Sequence, residues 1–311
     1  MSRTPAPYPT ETGSYGYLFA FTSSFSAGAA TVLGKWNLDH ISSLLMNGGI
    51  FGVAAIVLTI GIFSSRKSRP SFAMTGIGWI WLAAFTAVSI AAVFAYWTGV
   101  QKMDPSLAAF INRFEVPIAI MLGIIFLKER FTITETLGAV LSFAGIVIMR
   151  LTLRVEYTEG FWWVLAGAVF FGLTEFTSKK AVRHVDPVVL TYIRNCAMAG
   201  IFWVTIAAVG EDFGGLNVVW LGVIGLGLLG PIGSRLSYLL ALRRLELSKV
   251  AVISQSQPVF VILIALLLLG QLPTFREITG GLCLTAGSLL MIVGRYRFKR
   301  PKATADVRPD R

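Results

Sequence analysis

Apolar runs of about twenty residues recur along the chain, and short polar joints separate them. The pattern predicts helices over 15–34, 41–63, 76–98, 105–127, 132–150, 160–178, 187–209, 218–240, 248–270 and 276–294. At 1.5 Å rise per residue, about 20 residues cross a hydrocarbon core of about 30 Å. A helix satisfies its own backbone hydrogen bonds, as lipid requires. The joints are short, so successive helices run antiparallel. The expected fold is an all-α membrane protein with ten transmembrane helices.

Composition agrees. Of 311 residues, 55% are hydrophobic and 14% charged, with a mean hydropathy of +0.72. A soluble domain carries about 25% charged residues. The net charge of +11 sits in short joints and a basic tail, so it does not point to nucleic acid. With the N-terminus in the cytoplasm, 19 of the 27 Lys and Arg fall on inside segments, among them Arg66, Lys67, Lys128, Arg130, Lys179, Arg183, Arg243 and Lys249. Only Lys35, Lys102, Arg150, Arg154 and Arg276 fall outside, which predicts two cytoplasmic termini in a cell (inner) membrane. Met1 to Ser14 lacks the basic start and apolar core of a signal peptide, so the first run reads as a retained helix. Tryptophans at predicted helix ends (Trp36, Trp79, Trp97, Trp162, Trp220) follow the aromatic-belt pattern. Cys196 and Cys283 lie inside apolar runs, which argues against a disulfide framework.

The second half repeats the first. An ungapped shift of 142 residues brings Tyr96 onto Tyr238, Ser106 onto Ser248, Thr132 onto Thr274, Glu135 onto Glu277, Gly138 onto Gly280 and Gly145 onto Gly287. Pro117 and Pro258 fall one residue out of that register. Residues 15–150 and 160–297 form the two five-helix units, with 298–311 as a cytoplasmic tail. An odd number of helices per unit makes the units cross the bilayer in opposite senses. Inverted repeats of this kind belong to secondary transporters, with a site between the halves near the midplane.

The segments AYWTGVQKMDPSLAAFINRFEVPIAIMLGIIFLKER (95–130) and SYLLALRRLELSKVAVISQSQPVFVILIALLLLGQ (237–271) resemble the EamA-type repeat of the ten-helix branch of the drug/metabolite transporter superfamily. Each has a basic joint, a Ser-containing helix start, a mid-span Pro and a Leu-rich exit. The usual exit Glu is present as Glu129 and replaced by Gln271 in the second repeat. The resemblance implies a transporter, export more than import, and a central cavity lined by the fourth and ninth helices.

Ionisable groups inside the spans mark functional sites by default. Asn112 and Glu115, three apart, share a helix face, and their equivalents under the shift are Ser254 and Gln257. These four, with Arg113 and Arg235, are the candidate substrate contacts. On an unbroken helix Arg113 points about 100° away from Asn112 and does not face Glu115. Burial disfavours a charged carboxyl, which makes Glu115 the candidate proton carrier. Arg235 follows Gly230, Pro231 and Gly233, which weaken its helix. It either faces an anionic group or Glu115, or snorkels to the nearby surface. Arg194 reads as structural, and Glu175 as the partner of Lys179 on one helix face. The hydroxyls of Thr22, Ser23, Ser24 and Ser26 are expected to bond their own helix or face the cavity. Tyr96 and Tyr238 read as interface anchors. Gly280, Gly281 and Gly287 suit either packing within the bundle or a homodimer contact.

Enzymatic patterns fail one by one. GAATVLGKW (28–36) has five residues between its glycines and Trp36 where a phosphate loop needs Ser or Thr. His40 and His184 lie in separate joints, and no G-x-S-x-G occurs. The chain therefore reads as a non-enzymatic secondary transporter without cofactor or metal. Its expected partners are a small-molecule substrate, such as an amino acid or related compound, and the bilayer. Three arginines against two glutamates inside the spans favour an anionic or zwitterionic cargo. The alternative class is a receptor, scaffold or lipid-handling protein without solute flux.

Overall fold

A computed structural model describes residues 13–299 apart from 65–71, 73, 128–131, 153–154, 182–183, 243, 246 and 271. Much of the charge used above for orientation, including Arg66, Lys67, Lys128, Arg130, Arg183, Arg243 and the tail beyond 299, lies outside the described residues, as do Glu129 and Gln271.

The described elements are all helical: α1 (Gly13–Leu38), α2 (Ser43–Ser64), α3 (Gly76–Gln101), α4 (Pro105–Asn112), α5 (Glu115–Leu127), α6 (Ile133–Thr152), α7 (Thr158–Ala181), α8 (Pro187–Val209), α9 (Leu216–Gly227), a π-helical segment (Leu228–Ser234), α10 (Arg235–Leu242), α11 (Leu247–Ser254), α12 (Gln257–Leu269) and α13 (Phe275–Lys299), with a 3₁₀ turn at Val155–Tyr157. They make ten crossings, because α4–α5, α9–α10 and α11–α12 are single spans with an interruption. Among the described residues nine crossings are long and apolar enough to span a bilayer. The tenth, α1, has 26 residues, and its hydroxyl run lowers its hydropathy.

The repeat holds to the residue. Adding 142 to the bounds of α4 and α5 gives the bounds of α11 and α12, and the start of α6 gives the start of α13. The α6 and α13 starts also share one device. Glu135 accepts hydrogen bonds from the backbone N–H and hydroxyl of Thr132 at 2.8 and 2.9 Å, and its own N–H donates to the Thr132 hydroxyl. Glu277 and Thr274 do the same at 2.7 and 2.7 Å. Reciprocal Thr/Glu capping satisfies N–H groups that a helix start leaves without partners, which is why both repeats carry the pair.

Packing follows the inverted symmetry. α6 runs along α13 and α2 along α8, while α3 packs on α7 as α9–α10 packs on α1, and α5 on α7 as α12 on α1. The protein is thus two inverted five-helix repeats around a pseudo-twofold axis through α2/α8 and α6/α13. At α6/α13 the backbones touch. A methyl on Gly138 would sit 2.6 Å from the Gly287 carbonyl, and one on Gly145 would sit 2.7 Å from the Gly280 carbonyl. These two contacts exchange under the symmetry. Gly281 receives the Phe110 ring. All three second-repeat glycines therefore serve packing inside the bundle. Cys196 and Cys283 are free thiols.

The two ends of the bundle differ. The first face carries the α1–α2, α3–α4, α6–α7, α8–α9 and α12–α13 joints. One continuous apolar core, including Leu38, Leu45, Val100, Leu107, Phe161, Phe202 and Val223, fills that half. Its members lie within about eleven residues, roughly 16 Å, of the first face. Toward the second face the described residues form two smaller apolar clusters. Leu82, Phe85, Ala181, Val185, Val189 and Leu190 join α3, α7 and α8. Separately, Ala20, Ala241, Leu245 and Val250 join α1, α10 and the start of α11.

Candidate functional site

The fourth and ninth crossings break where the sequence pattern predicts continuous helices. Proline lacks an N–H and its ring clashes with the carbonyl four residues earlier. Pro117 therefore leaves the Arg113 carbonyl without its helical partner, and Pro258 leaves that of Ser254. The chain tightens into three-residue hydrogen bonds at both places: Phe114 N–H to Ile111 at 3.0 Å and Val116 N–H to Arg113 at 3.2 Å, then Ser256 N–H to Ile253 at 2.9 Å and Val259 N–H to Ser256 at 3.0 Å. The breaks, at 113–114 and 255–256, coincide under the 142-residue shift although the prolines do not.

The break at 113–114 corrects the expected direction of Arg113. The tightened turn swings its side chain toward Glu115, with Nη2 3.2 Å from Oε1. The same nitrogen donates to Gln257 Oε1 at 2.8 Å, and Nη1 donates to the Ser254 carbonyl at 3.3 Å. One buried guanidinium thus ties the two repeats together and occupies the carbonyl that Pro258 sets free. The Ser288 hydroxyl lies 3.4 Å from the Arg113 carbonyl, the other freed oxygen, and 3.0 Å from that of Leu284, so its one proton is shared between them. Asn112 Nδ2 reaches Glu115 Oε2 at 3.5 Å. Five of the six candidate contacts, Asn112, Arg113, Glu115, Ser254 and Gln257, therefore meet. Ser254 takes part through its carbonyl, since its hydroxyl donates to Val250.

Arg235 stands in a second cluster. Its Nη1 bonds Glu175 Oε1 at 3.0 Å, and its guanidinium lies over the Tyr238 ring, 5.6 Å from the centroid. It pairs with Glu175 rather than Glu115. Glu115 is nonetheless within electrostatic reach of both. The Lys179 side chain lies outside the described residues, and Glu175 is turned across to α10. Sequence spacing could not find this pair, because 60 residues and a π-helical segment separate its members. Pro231 in that segment removes a backbone donor, and the ladder shifts to the wider π pattern. Ser23 of α1 caps the segment's Ser234 carbonyl at 2.9 Å, and Ser24 bonds the Ile253 carbonyl at the α11 break at 3.2 Å. These hydroxyls serve the broken backbone of other helices, not their own.

Tyr96 also departs from expectation. It is buried in the core, with its hydroxyl 3.2 Å from that of Thr31, and Tyr238 lies under Arg235 instead of at an interface. Side-chain exposure separates the two ion pairs: 5% and 19% for Arg113 and Glu115, 24% and 28% for Arg235 and Glu175. The second pair is the more exposed of the two. At the first face the chain is tied by Lys35 Nζ to the Gln101 carbonyl at 2.8 Å, Gln101 Nε2 to the Leu38 carbonyl at 3.3 Å, and a Lys102–Glu159 ion pair.

Comparison with known proteins adds the following. The model of the EamA-like transporter family matches residues 14–151 and again 158–293. An uncharacterized transporter of Archaeoglobus fulgidus is 23% identical over 291 residues, which is 90% of this chain and 96% of that protein. An uncharacterized transporter of Synechocystis is 20% identical over 66% of this chain and 62% of its own length. One of Acidianus ambivalens is 31% identical over 114 residues, 44% of its length. In these last two the matched part is less than two thirds of the relative. A solved crystal structure, 19% identical, shares the fold with a TM-score of 0.63 over 90% of this chain and 98% of its own.

Proposed function

Because this chain belongs to the EamA-like transporter family, we propose that it is a secondary transporter that moves a small organic metabolite by alternating access. The observation that carries the reading is the meeting of the two helix breaks, where Arg113 of one repeat is held by Glu115 and by Gln257 and Ser254 of the other. Exchanging the conformations of the two inverted repeats would expose that bridge to one face and then the other. The units, 15–150 and 160–297, rock about α2/α8 and α6/α13.

The substrate site comprises Asn112, Arg113, Glu115, Gln257 and the Ser254 carbonyl at the paired helix breaks, with Arg235 toward the second face. Arginine predominates there, which favours a cargo with negative charge, such as an amino acid or a related compound. Glu115 carries the coupled proton. By the distribution of Lys and Arg, the second face and both termini are cytoplasmic; the membrane is the cell membrane, and export is the direction that the family resemblance favours.

The deciding experiment is counterflow in proteoliposomes with a panel of labelled amino acids and organic acids. Accumulation above that of empty liposomes is expected for at least one; none for any would end the reading. Glu115→Gln is expected to leave counterflow but remove its pH dependence. An unchanged pH profile takes the proton role from Glu115.

A further inference from the structure

Of the three arginines in the polar region, two have carboxylates: Arg113 with Glu115 at 3.2 Å and Arg235 with Glu175 at 3.0 Å. Arg194 of α8 has neither an ion-pair nor a hydrogen-bond partner among the described residues, is 8% exposed, and leaves Nε facing no acceptor. A buried charge without a counter-ion is costly enough that proteins rarely keep one. Two rings hold it. Its guanidinium carbon lies 5.3 Å from the Phe85 centroid and 5.9 Å from that of Phe51. Rings engage the flat face of a guanidinium; the N–H groups point outward in its plane and still need acceptors.

The surroundings are unsatisfied in the same way. Ser89, one turn beyond Phe85 on the same face of α3, is 1% exposed and its hydroxyl has no partner. Asn195, beside Arg194, is wholly buried with both side-chain polar atoms unpartnered. Phe51 belongs to the core near the first face and Phe85 to the cluster near the second. Arg194 therefore lies between the two, within electrostatic reach of Arg235 and Glu175.

We infer that Arg194 is the seat for a carboxylate of the cargo. This deepens the transporter reading and rests on it. The guanidinium fork matches a carboxylate with two parallel N–H···O bonds. Phe51 and Phe85 flank the guanidinium. A cation is disfavoured there by the arginine's own charge. The seat is separate from the Arg113 bridge, whose Nη1 and Nη2 already donate to the Ser254 carbonyl and Gln257.

The test reads binding and flux separately on the full-length protein. In detergent, melting is followed with alanine, leucine, phenylalanine, threonine, lactate and succinate, each beside its primary amide, and with chloride. At least one acid is expected to raise the melting temperature, with its amide needing more than about ten-fold higher concentration for the same shift, the size of a charge-assisted contact. Arg194→Gln is expected to abolish the acid's shift. Arg194→Lys, which keeps the charge and loses the fork, recovers part of it. The seat is overturned if acid and amide act alike, if chloride acts as well as the acid, if no acid stabilises, or if Arg194→Gln responds as the parent does. The acid–amide comparison needs no variant, so it stands even if Arg194→Gln fails to fold. Counterflow of the same acids separates the two ideas. An acid-specific shift without flux keeps the seat and ends the transporter reading; flux that ignores the carboxylate does the reverse.

Discussion

The two ends of this bundle are built from repeats of one sequence pattern, yet among the described residues one end holds a single large apolar core and the other two smaller clusters. At the first face glycines bring helices into contact: a methyl on Gly99 would meet Val164 Cγ2 at 2.5 Å and the Gly160 carbonyl at 2.8 Å, and one on Gly34 would meet the Trp97 ring at 2.2 Å. At the second face the described apolar residues fall into two clusters, and the Glu175–Arg235 pair is about a quarter exposed. The inverted symmetry makes this difference informative, because related halves here pack unequally at their two ends. On the proposed alternating-access reading, the tilt of the repeats sets which end is closed, and the α6/α13 pairing is kept.

That comparison can be broken at several strengths. The largest effect is expected from Arg113→Ala, which strands Glu115 and uncovers the Ser254 carbonyl. Loss of one partner of a buried ion pair costs about 3–5 kcal/mol, read as a large fall in melting temperature. The double variant Arg113→Ala/Glu115→Ala should regain part of it, and full additivity in the cycle would show that the bridge carries no coupling.

Next is Gly99→Val, which overpacks the sealed end by about 1–3 kcal/mol. It should favour the state parted at the first face, so a single cysteine placed at Phe161 becomes more reactive to a membrane-impermeant thiol reagent. Labelling equal to that of the parent would mean that the seal does not depend on this contact. Thr132→Ala and Thr274→Ala remove equivalent caps, each worth about 1 kcal/mol. They should lower melting by similar amounts, since the two capping boxes match bond for bond. Smallest is Lys35→Met, which removes the Nζ contact to the Gln101 carbonyl for about 1 kcal/mol or less. It should speed solute exchange at the first face with little change in melting.

Some of this was legible in the chain and some was not. Hydrophobic run length located all ten crossings, because the bilayer demands about 20 apolar residues whatever the neighbours are. The 142-residue shift read the repeat correctly, since side-chain chemistry at helix starts and glycine contacts recurs in place. The broken helices were missed. Pro117 and Pro258 signalled them, but where a helix yields near a proline depends on what is at hand to donate to the freed carbonyl. Here Arg113 and Ser288 fill that role, from 141 and 175 residues away. The error over Arg113 followed, because a face computed on a straight helix loses meaning across a turn.

The sequence by itself determined a membrane protein, its ten crossings, its duplication and the antiparallel sense of the halves, since length and hydropathy are local properties and parity follows from a count. Only the tertiary structure decided which charges pair, which arginine is left without a counter-ion and where the apolar core gathers. Those depend on tilts and distances between helices far apart in the chain, and no local pattern encodes them.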